Sequence, residues 1–180
     1  TWQETQLLSA FDTYQNQDYG TAVSISGDTI AIGAPGGGNN SDRPGSIYIY
    51  RFDGNTWNFE QRLRATNAHG GDSFGWHIEL DGNRLVVGQE QFSTKSAGSA
   101  YVFERQGTTW QLVSQLTSSD GMLDDYFGSA VALDGNQFII GASRASPYGA
   151  AYVYVPEPGS MGLLILPVFD KHLLNLDKLL

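Results

Sequence analysis

A self-similarity with a period of about 54 residues constrains this chain more than any other feature. Trp2, Trp57 and Trp110 follow Thr1, Thr56 and Thr109, so a Thr-Trp pair recurs at intervals of 55 and 53 residues. Gly20, Gly75 and Gly128, each behind an aromatic residue (Tyr19, Phe74, Phe127), keep the same step, as do Gly33, Gly88 and Gly141. A fourth column follows, Gly45-Ser-Ile-Tyr-Ile-Tyr50, Gly98-Ser-Ala-Tyr-Val-Phe103 and Gly149-Ala-Ala-Tyr-Val-Tyr154, spaced 53 and 51. Four columns in register define three copies of one structural unit.

Each unit divides into four short runs rich in β-branched and aromatic residues, separated by turn residues. The first run is Thr21–Ile25, Trp76–Leu80 or Ser129–Leu133. In it Val23 and Ile25, Ile78 and Leu80, or Val131 and Leu133 alternate at period two, which predicts a strand with that face in a core. Tight turns follow at Ser26-Gly27-Asp28, Asp81-Gly82-Asn83 and Asp134-Gly135-Asn136. The second run (Ile30–Ile32, Leu85–Val87, Phe138–Ile140) is apolar on both faces, as a strand covered from both sides requires. The third run is the Tyr column, and a Gly-bearing turn leads to a fourth that starts at the Trp.

Each unit therefore reads as a four-stranded antiparallel meander, and sheets apolar on both faces must stack on copies of themselves. The predicted fold is all-β: three four-stranded antiparallel blades of a β-propeller, partial or completed by association, with a short C-terminal helical tail. Residues 1–155 hold the blades, in units near 1–50, 51–103 and 104–155, and residues 156–180 form the tail. The phase is permuted. A lone fourth-type strand, Trp2 to Leu8, comes first, and the last unit stops after its third strand at Val155. Propellers usually carry four to eight blades, so three units imply either a segment of a longer array, the preferred reading, or several chains sharing one ring.

The aromatic-Gly pair, the hairpin, and then Gly33-Ala34-Pro35, Gly88-Gln89-Glu90 or Gly141-Ala142-Ser143 resemble FG-GAP repeats. Such repeats build the propeller of integrin α subunits and of many bacterial surface proteins. The resemblance implies a ligand-meeting loop face and, in metal-binding members, an Asp-rich calcium loop between the first two strands. Here that loop is a turn of two or three residues. A calcium ion needs six to eight oxygens, so no metal site and no cofactor are carried over. The tail, Val155-Pro156-Glu157-Pro158 followed by the apolar run Met161 to Phe169, resembles a PEP-CTERM sorting signal. That resemblance implies export to an extracellular or surface location, bacterial in origin, although the terminal Arg cluster of the family is absent.

Composition narrows the function. Nineteen acidic against ten basic residues give a net charge of −9, and the seven Arg and three Lys are scattered, which disfavours nucleic acid as a partner. With no Cys there is neither a disulfide framework nor a thiol nucleophile. The longest apolar run has nine residues, where a spanning helix needs about twenty, so no stable membrane span is expected.

The three His are dispersed, and Gly36-Gly37-Gly38 lacks the Lys-Ser/Thr of a phosphate cradle. His77 stands where the other units have Ala22 and Ala130, either as a packing variant or as a lone functional group. Asp72 and Asp125 fall three residues before their Gly, where carboxylates commonly bind the backbone N–H groups of a turn. The strict repetition of the Trp and Tyr columns marks them as packing, and function then belongs to the loops that vary between units.

Alternating strand direction puts the loops between second and third strands on the same face as the connections between units. Arg43, Phe92, Lys95, Arg144 and Tyr148 lie in those loops and are the candidate ligand-binding residues, cationic or aromatic groups in an acidic chain. The expected function is a non-catalytic, exported adhesion module that binds a protein or glycan there. Two alternatives are a polysaccharide hydrolase or lyase using acidic loop residues such as Asp124 and Asp125, and a purely structural envelope component.

Overall fold

The computed structural model describes residues 1–11, 18–36, 45–65, 72–89 and 96–155, and in them the chain is all-β. The first sheet runs β1 (Val23–Ser26), β2 (Thr29–Ala34), β3 (Ser46–Phe52) and β4 (Trp57–Leu63). The second runs β5 (Phe74–Asp81), β6 (Arg84–Gln89), β7 (Ser99–Gln106) and β8 (Thr109–Leu116). The third holds β9 (Phe127–Asp134), β10 (Gln137–Ala142) and β11 (Ala150–Tyr154) among the described residues. In all three, neighbours in sequence are neighbours in the sheet and every pairing is antiparallel. These are blades of a β-propeller.

The hairpins form where the turn chemistry places them. Ser26 pairs with Thr29, Asp81 with Arg84 and Asp134 with Gln137, each around a two-residue turn. The first residue of that turn is Gly27, Gly82 or Gly135 at φ of +57°, +55° and +54°, a conformation that disfavours any residue with a Cβ.

The sheets bury their faces against one another. Ala31, Ile47, Ile49 and Leu63 of the first sheet meet Ile78, Leu80, Leu85 and Val87 of the second. Val86, Ala100 and Val102 on the opposite side of the second sheet meet Phe127, Ile140 and Val131 of the third. Inner-strand residues lock adjacent sheets together: the Leu80 N–H donates to Ser24 Oγ at 3.1 Å, Gly82 N–H to Ser26 Oγ at 3.0 Å, and Gly135 N–H to Asp81 Oδ2 at 2.9 Å.

The repeated aromatic before each Gly packs against the Tyr column. Centroids of Tyr19 and Tyr48 lie 5.3 Å apart, and those of Phe74–Tyr101 and Phe127–Tyr152 both 5.4 Å. Tyr48 and Tyr101 are buried, so these columns are packing, as their regularity implies.

Two expectations need correction. Trp2–Leu8 is in no strand, because among the described residues no third-type strand lies beside it to supply a ladder; it stays attached through Gln6, which donates to the Trp57 carbonyl at 2.9 Å and accepts from the Trp57 N–H at 2.8 Å. Val23 and Ile25 lie on the face predicted to enter a core, yet both are exposed, because among the described residues no sheet covers that face. The equivalent Ile78 and Leu80 are buried. The helical tail falls on residues 156–180, outside the described residues.

His77 sits on β5 opposite Gly88, at the seam with the third sheet. Burial pushes its pKa below the usual histidine value, against the opposing effect of its hydrogen bond to the Gly128 backbone. A histidine depressed in the folded state takes up its proton more readily when unfolded, so stability falls as pH drops below about 6.5 and levels off once the folded state also protonates. His77→Ala, matching Ala22 and Ala130, is expected to flatten that slope in urea unfolding between pH 7 and 5.

Candidate functional site

The loop face is best defined over the third sheet, where the connection from β8 to β9 meets the connection from β10 to β11. Asp125 organises the first. Its Oδ2 accepts from the Met122 N–H at 2.6 Å, and its own N–H reaches the Met122 carbonyl at 3.4 Å. This is the turn-fixing role predicted for the repeated carboxylates. The side chain is buried, so its geometry is that of a structural carboxylate rather than one facing solvent across a cleft.

The Asp125 carbonyl accepts from the Arg144 N–H at 3.1 Å, tying the two connections together. The Asp124 N–H donates to the Ser96 carbonyl at 3.3 Å and the Phe127 N–H to the Ala97 carbonyl at 2.7 Å, so the loop of the second sheet joins the same surface. The predicted coincidence of both loop classes on one face holds here.

Arg144 projects from this framework with its guanidinium 4.1 Å from the Tyr126 ring centroid. At an exposed site such a cation–π contact contributes about 0.5–1 kcal/mol, enough to bias the orientation of a long side chain. Tyr126 has φ of +57°, in a column where the first sheet has Asp18 at +51° and the second Ser73 at +50°. Asp adopts that region readily; a bulky aromatic there is an outlier of the kind found at binding and catalytic sites. Tyr148, Met122 and Leu123 are exposed on the same connections. Two ring hydroxyls anchor the neighbouring segment, Tyr152 to Asp120 Oδ1 at 2.8 Å and Tyr154 to the Thr117 carbonyl at 2.6 Å.

Of the five candidate residues, Arg144 and Tyr148 thus lie on one short connection, and Arg43, Phe92 and Lys95 lie outside the described residues. Tyr126, Met122 and Leu123 were not among the candidates. Register held the signal for Tyr126, since it occupies the column of Asp18 and Ser73.

The opposite face carries a groove of about 400 Å³ at the hairpin tips, lined by Asp81, Asn83, Arg84, Glu104, Arg105 and Asn136 among others. Its charges satisfy one another. Arg84 donates to Glu104 at 2.6 Å, to the Gly135 carbonyl at 2.7 Å and to Asn136 Oδ1 at 2.5 Å, bridging the second and third sheets. This is a seam between sheets. Among the described residues no group of three His, Cys, Asp or Glu side chains is placed to hold a metal ion, and no helix is long and apolar enough to cross a membrane.

Stacked antiparallel meanders with the same strand order in each unit define a propeller-type scaffold. The FG-GAP repeat model matches three times, over residues 2–50, 57–103 and 110–154. The chain belongs to the FG-GAP repeat family. Among solved structures, the crystal structure of Saccharomyces cerevisiae Sqt1 is similar at a TM-score of 0.50 and 16% identity, a likeness of fold alone. The match covers 79% of this chain and 33% of that one, so the chain spans about a third of that structure's length. A search of curated proteins finds no match.

Proposed function

We propose that this protein is a non-catalytic binding module, exported to the cell exterior, that presents its loop face to a protein or glycan. The carrying observation is the Arg144–Tyr126 stack, with exposed Tyr148 on the same connection as Arg144, set on a framework of backbone hydrogen bonds. A planar cation on an aromatic ring, with an exposed phenol and apolar Met122 and Leu123 on the same two connections, is the composition of an interface anchor. Tyr and Arg both stack on sugar or aromatic faces while keeping polar edges for hydrogen bonds. Family membership supports a binding-type module, and the acidic net charge favours ligands that are neutral or basic. The PEP-CTERM resemblance of the tail supports an exported setting; that segment lies outside the described residues.

Glycan arrays and pull-down from exported proteins test this reading. Arg144→Ala and Tyr148→Ala are each expected to weaken binding at least about tenfold with unchanged unfolding midpoints, as interface anchors do. Asp124→Asn should leave it intact. Saccharide release that disappears in Asp124→Asn would instead identify an enzyme, and binding indifferent to Arg144 and Tyr148 would place the ligand elsewhere.

A further inference from the structure

At its hairpin-tip end, the seam between the second and third sheets departs from the repeat. Thr29, Arg84 and Gln137 share one column of the repeat, and Arg51 and Glu104 share another. In the first sheet Arg51 donates to Thr29 Oγ1 at 2.7 Å and pairs with Asp28, so its charge closes within its own sheet. In the second sheet the charges are reversed. Arg84 Nε and Nη2 donate to Glu104 Oε1 at 3.0 and 2.6 Å, and Nη1 crosses to the third sheet, where the Gly135 carbonyl accepts at 2.7 Å and Asn136 Oδ1 at 2.5 Å. The first two sheets stack with Thr29 at this position, so stacking alone does not require the crossing arginine. In a repeat fold, function belongs to the positions that differ between units.

The crossing frames the groove of about 400 Å³ at the hairpin tips. One wall is the Asp81–Arg84 hairpin with the end of β7, and the other is the Gly135-Asn136 turn of the third sheet. Two more hydrogen bonds hold the walls in place: the Gly135 N–H donates to Asp81 Oδ2 at 2.9 Å, and the Arg105 N–H donates to the Asn83 carbonyl at 2.8 Å. The Arg84 guanidinium is fixed once more over the Phe138 ring, 5.9 Å from its centroid. The groove is therefore preorganised, and its volume lies within the range of about 300–1,000 Å³ typical of small-molecule sites.

Its free edges define the ligand. Both cations are paired, Arg84 with Glu104 and Arg105 with Glu60, so the groove offers no unpaired positive charge to an anion. Among the described residues no group of three His, Cys, Asp or Glu side chains is placed to hold a metal ion. What remains unbonded among the described residues is Asp81 Oδ1, Glu104 Oε2, the Asn83 carboxamide and Asn136 Nδ2. Two carboxylate oxygens accept, and two carboxamides donate and accept, from fixed positions around one small space. A molecule with several hydroxyl groups on a rigid ring, each able to donate and accept, satisfies that set without bringing a charge.

We propose that this groove is a second binding site, separate from the loop face, and that it takes a neutral saccharide unit. Asp81 and Glu104 accept sugar hydroxyls, Asn83 and Asn136 bind the neighbouring hydroxyls from the two hairpins, and Arg84 acts as a positioning residue that sets the distance between the walls. The site lies at the opposite end of the strands from Arg144 and Tyr126, so it stands or falls apart from the loop-face reading.

The test is a titration of the 180-residue chain, followed by NMR, with the methyl glycosides of glucose, galactose, mannose and N-acetylglucosamine. At least one is expected to bind with a Kd of about 1–10 mM, the strength of a single small polar ligand, and to shift the side-chain amide signals of Asn83 and Asn136. Asn83→Ala removes a side chain that bonds to nothing else among the described residues, and it keeps the carbonyl that accepts from Arg105. It should weaken binding at least about fivefold with an unchanged unfolding midpoint, and Asn136→Ala should do the same. Glucosamine and glucuronate, which carry a charge, should bind no better than the neutral sugars. Absence of binding by all four glycosides overturns the proposal, and so does binding indifferent to both Asn substitutions. Preference for either charged sugar overturns the assignment of a neutral ligand. A glycoside whose shifts gather at Tyr126 and Arg144 and spare Asn83 belongs to the loop face, which supports that reading and overturns this one.

Discussion

Gly88→Ala is expected to cost at least about 3 kcal/mol, enough to remove cooperative unfolding of the second and third sheets in a urea titration. A Cβ at Gly88 would come 2.1 Å from the Gly128 carbonyl oxygen and 3.1 Å from its carbon. Both are backbone atoms of another sheet, so no side-chain rotation relieves the contact and two stacked sheets must part. Gly33→Ala should behave alike, since its Cβ would lie 2.2 Å from the Gly75 carbonyl oxygen. Gly107→Ala is the control. It has φ of +64° with nothing within 4 Å, so only left-handed strain applies, roughly 1 kcal/mol. Equal losses at Gly88 and Gly107 would mean that close approach of the sheets is not what selects glycine at the repeat positions.

This difference explains what was legible in the sequence. The Gly33, Gly88 and Gly141 column was visible as a spacing, and its physical cause, contact with the aromatic-Gly backbone of the next sheet, appears only once the sheets are stacked. Strands and hairpins were readable because period-two apolar faces and Gly-bearing turns are local. The face carrying Val23 and Ile25 read as core by its pattern, yet pattern reports what a residue is built to contact and not whether the neighbour is present. Trp2–Leu8 misled for the same reason, since a strand needs a ladder and its fourth-strand chemistry provides half of one.

The candidate site was partly readable. Arg144 and Tyr148 stood out as a cation and an aromatic on a variable loop. The Tyr126 ring under Arg144 did not, because it belongs to a different connection and its significance lies in a backbone angle. Charge pairs were the least legible. Glu60 and Arg105 are 45 residues apart, and no repeat column marks them, since Thr5 and Val113 stand at the positions of Glu60.

That pair gives the second large expected effect. Arg105 Nη2 lies 2.5 Å from Glu60 Oε1, and the side chains are only 13% and 10% exposed. Trp110 Nε1 also donates to Glu60 Oε2 at 3.2 Å. Glu60, on β4, thus holds two residues of the second sheet, and its hydrogen bond raises the Arg105 pKa against the opposing effect of burial. Glu60→Ala strands a guanidinium in a site with little water, and breaking a buried pair in this way costs about 3–5 kcal/mol. For a chain of this length that corresponds to a fall in Tm of roughly 6–20 °C. Because stacked sheets are coupled chiefly to their neighbours, the loss should appear as separation of two unfolding steps in calorimetry, the first sheet melting before the others. The double substitution Glu60→Leu with Arg105→Leu removes both charges and should recover most of the loss, because an apolar pair of similar volume suits the adjoining core. If Glu60→Ala alone shifts Tm by less than about 2 °C, the pair is solvated and contributes little to holding the first two sheets together.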